Sequence, residues 1–331
     1  MRRDSLPVLY AKGLGHAFTT WKALLFLLAI NALLALAVAR PVAKALAETL
    51  DRNPYAEKLE KGADLTFFTH FERSRPDVLG GLSAFDDAFS GGAVKTSALK
   101  GPAGTLVFLG LLNSFLAALA AGGFAGRFGA SRDRASLSAF GSDCGRFAFS
   151  SVVLWAISMA ALFGVYRGFT ALGSLYETSE LRYEWLASGL LWLRLGLALF
   201  LAGVIRSVIV FARAFMGATR NGSPFLALAS GAGFVLGRLP KVLTLEVLFG
   251  ATALLPLALW GLYGTTWDGR DPARLALFVA LQQLVVLLRI AARVGHLGAA
   301  SSWLKRAAEA ARPAPEKIEV EPGSRLAQAE A

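Results

Sequence analysis

Five polar side chains fall at similar depths inside apolar stretches of the sequence, where polar groups are costly and are often functional. They are Asn31, Asn113, Arg194, Gln282 and Gln283. Counted inward from the outer boundary of each stretch, at roughly 1.5 Å per residue, they lie about 12–15 Å deep. A layer of this kind could line a path for a substrate or a proton. The interpretation that we favour is that it fixes the register of packed helices through hydrogen bonds worth about 1 kcal/mol or less each.

Arg194 carries the strongest signal in this polar layer. A guanidinium within an apolar stretch needs hydrogen-bond acceptors or water, because an isolated charge is costly in a low-dielectric medium. Gln282 and Gln283 lie at the same depth, and we expect them to accept hydrogen bonds from Arg194. The sequence leaves open whether the layer is a path or a packing seam.

Glu246 is the acidic residue that lies clearly within an apolar stretch. By the same depth count it is near the inner boundary, level with Arg206 and Arg289. We expect a structural ion pair there, and proton coupling is the alternative role. Hydrolysis by paired carboxylates would require a second acidic group, and the sequence places none beside it.

The remaining residues that could react or bind metal form no recognisable set. Cys144 is the single cysteine, which excludes an intrachain disulfide and a four-cysteine zinc site. His16, His70 and His296 are scattered, without an HExxH motif or neighbouring acids, and we expect them to face solvent or the membrane interface. The sequence also lacks a GxSxG motif and a phosphate-binding loop. We therefore predict no catalytic residue, no metal and no cofactor.

Six apolar stretches must position these residues. Of the 331 residues, 55% are hydrophobic and 17% are charged, fewer charges than the quarter or so typical of soluble domains. About 20 apolar residues cross a bilayer as a helix. The predicted spans are Trp21–Ala39, Gly104–Gly122, Ser150–Tyr166, Leu186–Arg206, Val242–Tyr263 and Ala273–Arg293. The sequence therefore predicts an all-α, polytopic membrane bundle of about six transmembrane helices.

Arginine and lysine concentrate in alternate loops, which predicts the orientation of the chain. The segments before the first span, between the second and third and between the fourth and fifth are rich in basic residues. Basic residues accumulate in cytoplasmic loops, so both termini are expected in the cytoplasm. The same rule accounts for the net charge of +11 without nucleic-acid binding. The small residues Ala37-Val38-Ala39 resemble a signal-peptidase site, but the long segment before the first span favours an uncleaved helix.

The loops and termini divide the chain into five parts. Residues 1–20 form a cytoplasmic N-terminus, and residues 21–123 form a first hairpin with a long, helical external loop at 40–101, in which Pro41 begins a helix. Ser136–Phe149 and Phe225–Leu239 are too short to span and are predicted to be interfacial elbow helices. Residues 124–212 and 213–303 each combine an elbow with a hairpin, as expected for a tandem duplication. Residues 304–331 are predicted to be a disordered cytoplasmic tail.

Short motifs in these segments resemble known membrane proteins. They are Phe211–Phe215 with Arg238–Lys241, Gln282–Arg289, Gly122–Phe128 and Cys144–Phe147. Together they resemble uncharacterised bacterial six-span integral membrane proteins and, more distantly, the membrane domain fused to some glycerophosphodiester phosphodiesterases. The resemblance implies a helical bundle with elbow helices in the bacterial inner membrane. It supplies no catalytic residue.

These observations lead to three hypotheses for function. The first is a non-enzymatic structural or assembly component in envelope or lipid-related processes. Its partners would be membrane lipids, other membrane proteins or a second copy of the chain. The second is a transporter or permease subunit that uses the polar layer. The third is a membrane enzyme that acts on lipid, with Glu246 as its candidate residue.

Overall fold

The computed structural model describes residues 5–50, 102–129, 136–177, 184–264 and 272–311. These ranges contain nine α-helices and no strand, which confirms the all-α prediction. The helices are α1 Leu6–Thr19, α2 Trp21–Leu50, α3 Pro102–Gly129, α4 Leu137–Arg146, α5 Ala148–Glu177, α6 Glu184–Thr219, α7 Pro224–Leu236, α8 Leu239–Gly264 and α9 Pro272–Ala311.

Five of these helices are long and apolar enough to cross a membrane. Their apolar segments are Val107–Gly129, Ala148–Gly173, Ser188–Thr219, Leu239–Leu262 and Ala276–Ala310. A sixth apolar segment combines α1 with residues 21–37 of α2, bent by 73° between the two helices. The described chain therefore fits the prediction of about six spans.

Helix α1 was not predicted, because residues 1–20 had been assigned only to the N-terminus. It begins after Ser5 with a proline in its first turn, and it packs along α9. Gly13 permits this contact, since a Cβ atom there would collide with the backbone oxygen of Gly295 and would lie 2.8 Å from the Ala299 Cβ atom. Small residues thus bring the two helix backbones together.

Three helices extend beyond the predicted spans. Helix α2 runs without a break from the first span through Pro41, so the prediction that a new helix begins there is wrong. Helix α6 extends beyond Arg206, and α9 extends beyond Arg293 into the tail predicted to be disordered. Trp303 explains part of this extension, because its ring lies 5.4 Å from the Phe234 ring in an edge-to-face contact. Residues 51–101 of the predicted external loop and residues 312–331 of the tail lie outside the described ranges.

The two predicted elbows are separate helices with the same local design. Helix α4 begins at Ser136, whose side chain accepts a hydrogen bond from the Ala139 backbone nitrogen. Helix α7 begins at Ser223, whose side chain accepts one from the Leu226 backbone nitrogen. Such caps satisfy backbone donors that the first turn leaves free. Each elbow packs against the long helix before it, α4 on α3 and α7 on α6.

Most buried side chains lie at one end of the bundle, which we call the elbow end. It comprises α1, α4, α7 and the adjoining ends of α2, α3, α5, α6, α8 and α9; the opposite ends of the long helices form the far end. Among the largest fully buried side chains are Phe147, Phe211, Met216, Leu245 and Phe249, all at the elbow end. The order elbow, long helix, long helix occurs twice, as α4–α5–α6 and as α7–α8–α9.

Candidate functional site

Glu246 is the centre of a polar cluster at the elbow end. It lies on α8 and is only 8% exposed. Its Oε1 atom is 3.0 Å from the Nε atom of Arg206, and its Oε2 atom accepts a hydrogen bond of 3.3 Å from the Ser207 hydroxyl. Arg206 and Ser207 are consecutive residues on α6, so the carboxylate joins α8 to α6 through both of its oxygens.

The cationic partner of Glu246 is therefore Arg206. Arg289, predicted at the same level, lies on α9 one turn before Arg293. Within the described residues the salt bridges of Glu246 are to Arg206 and to a histidine, and not to Arg289. The role of this cluster in proton coupling stays a prediction.

The histidine is His296 on α9, and its surroundings differ from those expected. It is 1% exposed, and its Nδ1 atom lies 3.3 Å from Glu246 Oε2. Its ring stacks on Phe249, with centroids 5.2 Å apart. The expectation of a solvent-facing or interfacial imidazole is thus wrong for His296. Sequence reasoning could not have found this contact, because it arises only when α8 and α9 pair.

Helix α1 covers the same cluster from the other side. The Tyr10 ring lies 4.8 Å from the Phe249 ring, and its hydroxyl is 2.5 Å from the Thr252 hydroxyl. Tyr10, Phe249 and His296 therefore form a row of contacting rings from α1, α8 and α9. These contacts add the N-terminal helix to the three helices already joined around the carboxylate.

The geometry of the cluster limits its chemistry. Ser207 contacts the carboxylate rather than the imidazole, so the serine, histidine and acid do not form a nucleophilic relay. Among the described residues, no group of three potential metal ligands of the His, Cys, Asp or Glu type occurs. What the cluster does is fix the mutual position of three helices, because Glu246 contacts side chains from α6 and α9 at once.

The residues of the predicted polar layer lie on four helices, and the described contacts do not link them. The Arg194 guanidinium carbon lies 4.1 Å above the ring of Phe169 on α5 and beside Gly173, where a Cβ atom would collide with it. Its Nε atom is buried without a hydrogen-bond partner. Gln282 is exposed and Gln283 is half-buried on α9, and neither accepts a described hydrogen bond from Arg194.

The described contacts of the two asparagines do not reach the other residues of the layer. Asn31 donates a hydrogen bond of 2.9 Å to the backbone oxygen of Leu27, one turn earlier on its own helix. Asn113 is half-buried on α3. Next to it, Ser114 accepts a hydrogen bond of 2.8 Å from the Trp155 indole, which links α3 to α5. Whether the layer forms a path or a seam stays a prediction.

Cys144 lies in the contact between the first elbow and α3. A Cβ atom at Gly123 would be 2.5 Å from the Cys144 sulfur, so the glycine makes room for the thiol. Burial is the main influence on this group and raises the pKa of Cys144. A raised pKa leaves less of the reactive thiolate at neutral pH, which makes this cysteine a weak nucleophile.

Comparison with known protein families, with curated proteins and with solved structures finds no match for this chain. The resemblance to the membrane domain of some glycerophosphodiester phosphodiesterases therefore stays a prediction.

Proposed function

We propose that this chain is a non-enzymatic, multi-pass protein of the bacterial inner membrane that acts as a structural or assembly component in envelope or lipid-related processes. The observation that carries the proposal is the arrangement around Glu246. Its carboxylate is surrounded by Arg206, Ser207 and His296 and so serves the packing of three helices. Removing one partner of a buried ion pair is strongly destabilising, so the cluster favours one fixed arrangement of these helices, and a buried charge that has partners need not be a reactive one.

The proposed orientation places the elbow end and both termini in the cytoplasm. Support comes from the basic residues that flank the elbows, such as Arg146, Arg238 and Lys241, which the positive-inside rule assigns to that side. In this orientation α4 and α7 lie in the headgroup region. Phe225, Leu226 and Leu236 on α7 are each at least half exposed and would enter the acyl boundary.

The experiment that tests the proposed function compares deletion strains complemented by different variants. A strain that lacks the gene should show altered lipid composition, envelope permeability or membrane-protein complexes. Wild-type protein and the Arg194→Leu variant should both restore these properties. Glu246→Leu, which leaves Arg206 and His296 without their partner, should fail to restore them. Unchanged properties in the deletion strain would contradict a structural role.

Arg194 gives specific support to the second candidate function, a transporter or permease subunit. Its Nε atom lacks a hydrogen-bond partner among the described residues, although it is buried. Unsatisfied buried polar atoms are rare in proteins, and an ionic substrate or water could satisfy this one. If Arg194→Leu protein is present at normal levels and folded, yet fails to complement, transport becomes the better proposal.

A further inference from the structure

Three arginines lie on two adjacent helices at the elbow end, and only one of them takes part in the contacts of Glu246. They are Arg206 on α6 and Arg289 and Arg293 on α9. One oxygen of Glu246 contacts Arg206 and the other lies 3.3 Å from His296 on α9. His296 is three residues after Arg293, so Arg206 lies beside the face of α9 that carries these residues. Arg289 and Arg293 are four residues apart, so they lie on the same face of α9.

The charge of this arginine group is only partly neutralised. Glu246 pairs with Arg206, while Arg289 and Arg293 form no ion pair within the described residues. The group therefore holds three positive charges against one negative charge. Like charges in close proximity repel, so the arrangement favours an additional anion.

The three arginines remain accessible although they are next to the buried cluster. The Arg206 side chain is 43% exposed, while the side chain of its partner Glu246 is 10% exposed. Arg293 is exposed and Arg289 is half-buried. The carboxylate thus holds Arg206 from the protein side and leaves part of the guanidinium open to a ligand from outside.

The position of the group along the helices matches the headgroup level of a bilayer. Arg206 is about 27 Å along α6 from Ser188, where the apolar segment begins, and Arg293 is about 26 Å along α9 from Ala276. The hydrocarbon core of a bilayer is about 30 Å thick, so both residues reach its opposite boundary. Arg289 lies about 6 Å deeper than Arg293, a distance that a long arginine side chain can span towards the interface.

We infer that Arg206, Arg289 and Arg293 bind a phosphate group at the membrane surface, from an anionic phospholipid headgroup or from free phosphate. Arginine matches this ligand because its planar guanidinium donates two parallel hydrogen bonds to phosphate oxygens. Basic sites between transmembrane helices at the headgroup level are a recurring form of lipid recognition. This inference goes beyond the structural role and does not depend on it.

The test measures lipid binding by the full-length protein in detergent. Thermal unfolding is followed while phosphatidylglycerol, phosphatidylcholine or inorganic phosphate is added, and apparent affinities are taken from the rise in melting temperature. The variant is Arg289→Gln/Arg293→Gln. The control is Arg238→Gln/Lys241→Gln, which removes the same charge from two exposed residues at the same end. Each lost arginine contact should reduce affinity several-fold.

We expect phosphatidylglycerol to bind more tightly than phosphatidylcholine, and its affinity to fall about 10- to 30-fold in the variant. The control should retain wild-type affinity within about threefold. Equal protection by inorganic phosphate would assign the site to free phosphate rather than lipid. Equal losses in variant and control, or no loss in either, would overturn the inference.

A second variant keeps the test decisive if the double glutamine variant does not fold. Arg293→Gln alters one exposed residue and should lower the affinity for phosphatidylglycerol about fivefold. Arg289→Lys/Arg293→Lys preserves the charge but removes the paired hydrogen bonds of the guanidinium, so its affinity should lie between those of the wild type and the double glutamine variant. Loss of binding in the lysine variant together with full binding by Arg293→Gln would contradict the inference.

Discussion

The described apolar side chains of α6 and α8 are buried more often at the elbow end of the bundle than at the far end. At the elbow end Phe211, Met216 and Leu245 are fully buried against neighbouring helices. At the far end Leu193, Leu199 and Leu262 are between 65% and 73% exposed, although they lie on the same long helices or their hairpin partners. On α6 and α8, buried apolar side chains thus stabilise tertiary contacts at the elbow end, whereas the exposed leucines at the far end form an apolar outer surface.

Glycines contribute to this difference in burial between the two ends. Glycines at the elbow end let helix backbones touch, as at Gly129 and Gly217, where a Cβ atom on Gly129 would collide with the Gly217 backbone. At the far end, Gly164 and Gly196 have no neighbouring atom within 4 Å of such a Cβ. Glycine therefore indicates close approach only where the helices actually meet. A long apolar helix of this bundle thus has one half packed against neighbouring helices and one half with an exposed apolar surface.

We expect the largest difference between the two ends in the free energy of unfolding of two leucine-to-alanine variants. Leu245→Ala removes a fully buried side chain and should lower the free energy of unfolding by about 2–5 kcal/mol, because it leaves a cavity. Leu193→Ala removes an exposed side chain and should change stability by about 0.5 kcal/mol or less. Unfolding in mixed micelles would measure both. Similar losses of unfolding free energy in the two variants would contradict the difference in packing between the two ends.

A second pair tests the glycine contact between α1 and α9. Gly13→Leu should destabilise the protein by about 1–3 kcal/mol or more, because the side chain would meet the backbone of Gly295. Gly15→Leu is the control, since a Cβ atom there has nothing within 4 Å. Proteolysis of the N-terminal segment, together with the melting temperature, would report whether α1 detaches. Equal behaviour of both variants would show that α1 is not held by this contact.

Substitutions in the polar cluster should have a smaller effect on stability, and part of it can be assigned to the ion pair of Glu246 and Arg206. Glu246→Gln removes the charge next to Arg206, and the double-mutant cycle with Arg206→Gln should give a coupling free energy of about 0.5–3 kcal/mol. Arg194→Gln at the far end should couple to Glu246→Gln by less than about 0.5 kcal/mol, because the sites are not in contact. Additive losses for Glu246 and Arg206 would mean that the ion pair does not stabilise the elbow end.

The smallest effect concerns reactivity within the elbow end. At pH 7 Cys144 should react with maleimide about tenfold more slowly than the single thiol of a Cys144→Ala/Ser142→Cys protein, because Ser142 is exposed whereas Cys144 is half-buried with a raised pKa. The rate for Cys144 should keep rising above about pH 8 as thiolate forms. Rapid labelling of the wild-type protein at neutral pH would indicate that α4 does not pack on α3 as described.

Long apolar runs in the sequence were enough to predict the long helices, but not α1 or the helix ends. Long apolar runs have few conformational options in a membrane, since a helix satisfies its own backbone hydrogen bonds. The elbows were also predictable, because Ser136–Phe149 and Phe225–Leu239 are too short to span and border the next span. A proline in the first turn of α1 is typical of a helix start. A single proline is too weak a signal to predict a helix.

From the sequence, counting along single helices was enough to predict the all-α bundle, its long apolar helices and the shared level of Glu246 and Arg206. The tertiary structure was needed to show that His296 lies against Glu246, that Arg194 rests on Phe169 rather than on Gln282 or Gln283, and that the buried core of the described residues lies at the elbow end. The cause is the rotation of each helix about its own axis. Counting residues gives the position of a side chain along the helix, but its partner depends on which face of the helix contacts a neighbour. That face is set by packing between distant parts of the chain.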